Sequence, residues 1–94
     1  MEWRKDWIIT FSNSEDADVE FYRFYGSESE VKNKICEMAI DKSYDPMSEL
    51  LECPETADDI KENGDPGCFY CTVGYEDYDY VFTAKEFARI DHVL

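Results

Sequence analysis

The chain has 94 residues, and its 23 Asp and Glu against 9 Lys and Arg give a formal net charge of −14. Hydrophobic residues make up 44% and aromatic residues 16% of the sequence, which indicates a folded domain rather than a disordered acidic tail. The length fits one domain over residues 1–94, and no apolar run reaches the roughly 18 residues of a membrane span. So acidic a surface would repel nucleic-acid phosphates, which argues against direct DNA or RNA binding.

The first strand candidate is Asp6–Ser12, which places Trp7, Ile9 and Phe11 on one face. The apolar stretch at this end is too short for the core of a signal peptide, which predicts a cytoplasmic protein. A polar connection follows, and Val19–Tyr25 is then predicted to form a second strand in a hairpin with the first.

The next segment carries the signature of a helix. Ser27 and Glu30 are spaced as a capping box, in which each side chain accepts a hydrogen bond from the other residue's backbone amide. Apolar residues then recur with helical spacing at Val31, Ile35, Met38 and Ala39. The pattern predicts a helix from Glu28 to about Lys42.

Residues 43–67 form an acidic, proline-containing loop. The segment contains all three prolines, and eight acidic residues against one lysine give it a charge of −7. Met47–Leu51 is predicted to form a short helical turn capped by Asp45, and Thr56–Glu62 a second turn capped by Thr56.

The last third predicts a hairpin of Cys68–Tyr75 and Tyr78–Ala84, with Tyr75 opposite Tyr78. That register places the following residues on one face: Phe69, Cys71, Val73, Tyr75, Tyr78, Tyr80, Phe82 and Ala84. Residues 84–90 could extend the strand or form a final helical turn. The expected fold is α+β, in the order ββ-α-loop-ββ, with a small antiparallel sheet of about four strands and one main helix across a face.

Four cysteines raise the alternatives of a metal site or a disulfide. Cys68 and Cys71 form a C-x-x-C, but two residues three apart on a strand point to opposite faces. In the reducing cytoplasm the cysteines are favoured as packing residues, with metal or redox chemistry as the alternative.

The residues do not favour an enzyme. The one histidine, His92, lies two residues from the last position of the chain, and the four glycines are too dispersed for a phosphate loop. The acidic stretches Asp58–Asp59 and Glu76–Asp79 are calcium candidates, although neither follows EF-hand spacing. We therefore expect a non-enzymatic protein without a metal or other cofactor.

Three acidic clusters are candidates for binding a basic partner. The first contains Glu76, Asp77, Tyr78 and Asp79. The second is the acidic loop with Glu49, Glu52, Glu55, Asp58, Asp59 and Glu62. The third contains Glu15, Asp16 and Asp18. Carboxylates with interleaved rings resemble phosphates with bases and are steered toward basic clefts. The alternative is that the acids only solvate the surface and that the tyrosines belong to the core.

Three short pieces of the chain resemble small uncharacterised proteins of bacterial phages and mobile elements: Trp7–Ser14, Tyr25–Lys32 and Tyr78–Ala84. Size and acidity also resemble the anti-CRISPR and anti-restriction inhibitors that such elements carry. The resemblance implies a DNA-mimicking inhibitor that occupies the nucleic-acid groove of a bacterial defence protein, such as a CRISPR effector nuclease. It carries over no functional residue. The alternative function is a small interaction or structural module that pairs, for example as a homodimer, through an aromatic face or a sheet edge.

Overall fold

The computed structural model describes residues 3–15, 19–62, 64 and 67–87. Its regular elements are β1 (Lys5–Asn13), β2 (Val19–Gly26), α1 (Glu28–Asp41), β3 (Leu50–Glu52), β4 (Lys61–Glu62), β5 (Cys68–Tyr75) and β6 (Asp79–Glu86). Within the described residues the strands form one antiparallel sheet in the order β2-β1-β6-β5-β3, and β4 also pairs with β5. The predicted α+β class with one main helix is confirmed. The sheet, with six strands, is larger than the four expected.

Both predicted hairpins are present. In the β5–β6 hairpin, Cys71 lies opposite Phe82, and the Tyr75 amide donates to the Tyr78 carbonyl at 2.8 Å, which confirms the predicted register. Strand β6 continues to Glu86. The rest of the undecided 84–90 segment beyond residue 87 lies outside the described residues.

Strand β1 joins the two hairpins into one sheet. Ile9 pairs with Tyr22 of β2 on one side and with Ala84 of β6 on the other. This pairing between the first and last described strands makes β1 a central strand, while β2 forms one edge of the sheet.

Helix α1 begins as its sequence predicts. The Ser27 hydroxyl accepts from the Glu30 amide at 3.2 Å, and the Glu30 carboxylate accepts from the Ser27 amide at 2.9 Å. These bonds satisfy amides that the first helical turn otherwise leaves unpaired. The helix buries its apolar stripe, with Val31 and Ile35 fully inaccessible to solvent.

One face of the sheet, here called the inner face, packs against α1 and holds the core. Its largest buried side chains are Trp7, Phe69, Phe82, Ile9 and Val73. The indole of Trp7 donates to the Gly26 carbonyl at 3.0 Å, which pairs the only polar atom of that ring. No described helix covers the opposite face, called the outer face.

Two helical turns were predicted within residues 43–67, and the structure differs in how it agrees with each. The predicted helical turn at Met47–Leu51 is wrong: a turn at residues 46–47 leads into β3, where Leu50 pairs with Tyr75. A five-residue helix is too short to be stable alone, so pairing with the adjacent sheet edge prevails. The second prediction is confirmed in part: Thr56 caps a short 3₁₀ helix at Ala57–Asp59, but Lys61 and Glu62 form strand β4 instead of continuing the turn.

Candidate functional site

The turn between β5 and β6 exposes the first acidic cluster. Glu76, Asp77 and Asp79 are all exposed, because the hydrogen bond between Tyr75 and Tyr78 closes a tight turn at the end of the hairpin. Their carboxylates therefore lie at one end of the sheet, on a hydrogen-bonded turn.

The tyrosines of the same run lie beneath the carboxylates. The ring of Tyr78 stacks on Tyr75 at a centroid distance of 4.8 Å and meets the edge of Tyr80 at 5.2 Å. Tyr75 is only 3% exposed, and its hydroxyl donates to the Lys42 carbonyl at the end of α1. The rings thus pack against one another, and Tyr78 in particular is half-buried rather than a freely presented contact residue.

A second segment, residues 45–49, is held against this turn. The Tyr78 hydroxyl donates to the Asp45 carboxylate, and the Glu76 amide donates to the Glu49 carbonyl at 2.9 Å. The Ser48 hydroxyl also lies 3.5 Å from the Asp77 carboxylate. These contacts bring Asp45 and Glu49 to the same end of the sheet as the β5–β6 turn.

The turn after β1 supplies a third segment. Ser14 and Asp79 exchange two hydrogen bonds of 2.9 Å, one from the Ser14 amide and one to the Ser14 hydroxyl. Glu15 follows directly and is exposed, with its amide bonded to the Asn13 side chain at 3.0 Å. The six carboxylates gathered from the three segments are called the tip cluster: Glu15, Asp45, Glu49, Glu76, Asp77 and Asp79.

The charges at this end of the sheet are mainly negative. The hydrogen bond from Tyr78, followed by one from the Met47 amide, lowers the pKa of Asp45 and favours its charged form. Helix α1 ends here without a basic residue in its last turn, so its negative dipole end adds to the same field. The nearby cation of Lys42 lies over the rings of Phe11 and Tyr80, at 5.3 and 6.0 Å from their centroids.

The ion pairs of the described residues lie elsewhere, on α1 and around the start of β1. They are Arg4–Glu30, Lys5–Glu86, Arg23–Asp6, Lys32–Glu28 and Lys34–Glu37. None of them includes a carboxylate of the tip cluster. The cluster therefore keeps its negative charge available to an external cationic surface.

Of the second predicted acidic cluster, Glu49 lies at the tip, whereas Asp59 and Glu62 do not join it. Glu62 lies in β4 opposite Phe69, toward the other end of β5. Six residues of strand, roughly 20 Å, separate Phe69 from Tyr75 at the tip. The Asp59 carboxylate accepts from the amides of Glu55 and Thr56 at 2.8 and 3.1 Å, and these bonds lower its pKa, so it serves as a cap.

The third predicted cluster is only partly visible. Glu15 belongs to the tip cluster, whereas Asp16 and Asp18 lie outside the described residues. Sequence reasoning missed Asp45, which it assigned only a capping role. It placed Glu49 in the acidic loop without linking it to the hairpin. Both are placed by contacts with the turn that follows β5, and these contacts join segments far apart in sequence, so no local pattern predicts them.

The cysteines are distributed as packing residues. Cys68 is half-buried on the outer face and Cys71 is buried on the inner face, as expected for a C-x-x-C on a strand. Burial raises the pKa of the Cys71 thiol to about 12, and it also raises the pKa values of Cys36 and Cys53. Among the residues that the structure describes, no three His, Cys, Asp or Glu side chains are grouped to hold a metal ion.

A groove of about 480 Å³ runs beside β4 and β5. Cys53, Tyr70 and Cys71 line it, together with acids that include Glu52 and Asp58. None of its lining residues is a histidine.

Comparisons with known proteins identified no similar protein. A scan against protein-family models, a search of curated proteins and a search of solved structures found no match. Within the described residues, no helix is both long and apolar enough to cross a membrane.

Proposed function

We propose that this protein is a non-enzymatic inhibitor that binds the basic nucleic-acid groove of a bacterial defence nuclease. The tip cluster is the binding surface, and its carboxylates take the place of backbone phosphates. The partner class is suggested by the resemblance to inhibitors carried by phages and mobile elements, with a CRISPR effector nuclease as the leading case. The protein would act in the cytoplasm of the bacterial host.

The observation that carries the proposal is the convergence of six carboxylates from three separate segments on one end of the sheet. Hydrogen bonds fix the three segments to one another through Asp79, Glu76 and Asp45. A fixed array loses less conformational entropy on binding than a mobile acidic loop. The tyrosine rings support the array from beneath.

The charge distribution also favours this end as the first point of encounter. Charged surfaces accelerate association with an oppositely charged cleft by roughly 10- to 1000-fold, and salt reduces the effect. Inhibition by the tip cluster should therefore weaken steeply as the ionic strength rises, since the contacts lie at an exposed surface.

The test compares two triple variants of equal net charge. The tip variant carries Glu76→Lys, Asp77→Lys and Asp79→Lys. The control carries Glu55→Lys, Asp58→Lys and Glu62→Lys, all exposed positions outside the tip cluster. Each variant has 20 acidic and 12 basic residues and a net charge of −8, against −14 for the natural chain.

The assay measures DNA binding and cleavage by a guide-loaded CRISPR effector nuclease in the presence of each protein. The natural chain and the control variant should compete with DNA, whereas the tip variant should lose competition and associate at least about tenfold more slowly. An equal loss of inhibition in both variants would show that net charge alone, and not the tip cluster, accounts for the inhibition. Full inhibition by the tip variant would show that the tip cluster is not the binding surface.

A further inference from the structure

Strand β2 is an open edge of the sheet. It pairs with β1 on one side, and no described strand pairs with its other side. Its large side chains are exposed: Phe21 at 71%, Tyr25 at 59%, Val19 at 44% and Tyr22 at 42%. Among the described strands, the edge of β2 that faces away from β1 has no backbone partner, and with its aromatic side chains it forms a template for another strand.

The strand has few of the devices that usually protect an edge, since its one charge on the inner-face side is Glu20, next to its first residue and opposite Phe11 of β1. Proteins block such edges with proline, lysine or inward-pointing charges, or they keep the edge strand short. The β2 sequence, Val-Glu-Phe-Tyr-Arg-Phe-Tyr-Gly, contains no proline and no lysine. Its two charged residues, Glu20 and Arg23, cancel each other, so β2 is neutral in a chain of net charge −14. A second acidic copy can approach this edge with little local repulsion.

We propose that two copies of the chain pair edge to edge through β2, antiparallel, with Tyr22 opposite Tyr22 of the partner subunit. This inference stands on the edge strand and is independent of the function assigned to the tip cluster. The pairing joins the two sheets into one continuous sheet and buries the exposed aromatic side chains of β2 against their counterparts.

The register follows from the pleat of the strand. The β1–β2 pairing places Phe21, Arg23 and Tyr25 on the outer face, opposite Thr10, Ile8 and Asp6. Directly opposite residues in an antiparallel pair point to the same face. In a two-fold pair, therefore, one residue of β2 lies opposite the same residue of the partner copy. The identity of this central residue defines the register.

The register centred on Tyr22 pairs the most chain without opposing like charges. It spans Val19–Tyr25 and sets each Phe21 beside Arg23 of the partner subunit, which suits a cation–π contact. Centring on Arg23 would oppose two guanidinium groups. Centring on Phe21 would shorten the pairing to residues 19–23.

The antiparallel orientation also sets unlike charges of the two copies near each other. The end of β2 at Val19 lies beside the acidic turn that contains Glu15, and the end at Gly26 lies beside Lys5 and Arg4. Arg4 lies over the ring of Tyr25 at 5.2 Å, and its side chain is 56% exposed. Pairing therefore brings Glu15 of one copy toward Arg4 and Lys5 of the other, cations that also pair with Glu30 and Glu86 of their own chain.

The experiment measures sedimentation of the full chain over a roughly hundredfold range of concentration. The natural protein should shift from monomer to dimer. Tyr22→Lys opposes two ammonium groups at the centre of the pair and should weaken dimerisation at least about tenfold. The matched control is Leu51→Lys, which replaces an exposed apolar residue on β3, away from β2, and should leave dimerisation unchanged.

A second measurement guards against misfolding of the lysine variant. In Tyr22→Cys, the two introduced thiols lie opposite each other across the pair and should form an intermolecular disulfide on mild oxidation, whereas Leu51→Cys should not. A natural chain that stays monomeric throughout, or cross-linking that is equal in both cysteine variants, would overturn the proposal. The tip variant described above should still dimerise, which separates this test from that of the proposed function.

Discussion

The two neighbouring isoleucines of β1 offer a direct test of how the sheet is covered. Ile9 is 1% exposed on the inner face beneath α1, whereas Ile8 is half-buried on the outer face, opposite Arg23 and Lys85. The same substitution at both positions removes the same atoms from opposite sides of one strand. Ile9→Ala should therefore be much more destabilising than Ile8→Ala.

The expected magnitudes follow from burial. Truncating a fully buried isoleucine to alanine costs about 2–5 kcal/mol, from lost apolar burial and the cavity left behind. At the half-buried position the cost is about 1 kcal/mol, on the scale of strand propensity and partial burial. A domain of this size has a total stability of about 5–14 kcal/mol, so the Ile9 variant would lose a large fraction of it.

Urea unfolding followed by tryptophan fluorescence measures the difference, because Trp7 is fully buried on the same strand. If Ile9→Ala does not fold, the pair Ile9→Val and Ile8→Val replaces it, with a loss of about 0.5–1.5 kcal/mol at Ile9. Each kcal/mol lowers the melting temperature by about 4–8 °C in a domain of this size. Equal losses at the two positions would refute the assignment of inner and outer faces.

Three further outcomes are expected. Tyr78→Phe should raise the pKa of Asp45 in an NMR titration, because the tyrosine hydroxyl is the main cause of its lowering. An unchanged pKa in this variant would contradict the contact. In the natural chain, the stabilisation linked to the Asp45 carboxyl is present above its unfolded pKa of about 3.9 and is lost as the pH falls through the lowered native pKa. Ser27→Ala should cost about 1 kcal/mol in urea unfolding, whereas Ser27→Asp, which keeps a capping oxygen, should cost less; equal losses would argue against the cap. Cys71, whose pKa burial raises to about 12, should resist iodoacetamide in the native protein and react after denaturation, as peptide mass spectrometry can show; rapid native labelling would place this thiol outside the core.

Local patterns were sufficient for the elements that depend on neighbours in the chain. The capping box at Ser27 and Glu30 located the start of α1, and the Tyr75–Tyr78 register followed from alternation around a two-residue turn. Such signals succeed because the contacts that stabilise these elements lie within a few residues of each other. The helical turn predicted at residues 47–51 was wrong for the opposite reason, since the strand that begins at Leu50 depends on pairing with β5.

The features of the candidate site also divide into those that the sequence predicts and those that depend on the tertiary structure. Sequence alone determined that the chain is strongly acidic, that Glu76, Asp77 and Asp79 lie at a hairpin tip, and that the cysteines of the C-x-x-C point apart. Only the tertiary structure decided which acids share a surface: it joined Glu15 and residues 45–49 to that tip and left Glu62 near the other end of β5. The physical reason is that these associations are made by hydrogen bonds and strand pairing between segments far apart in sequence, and composition cannot report such contacts.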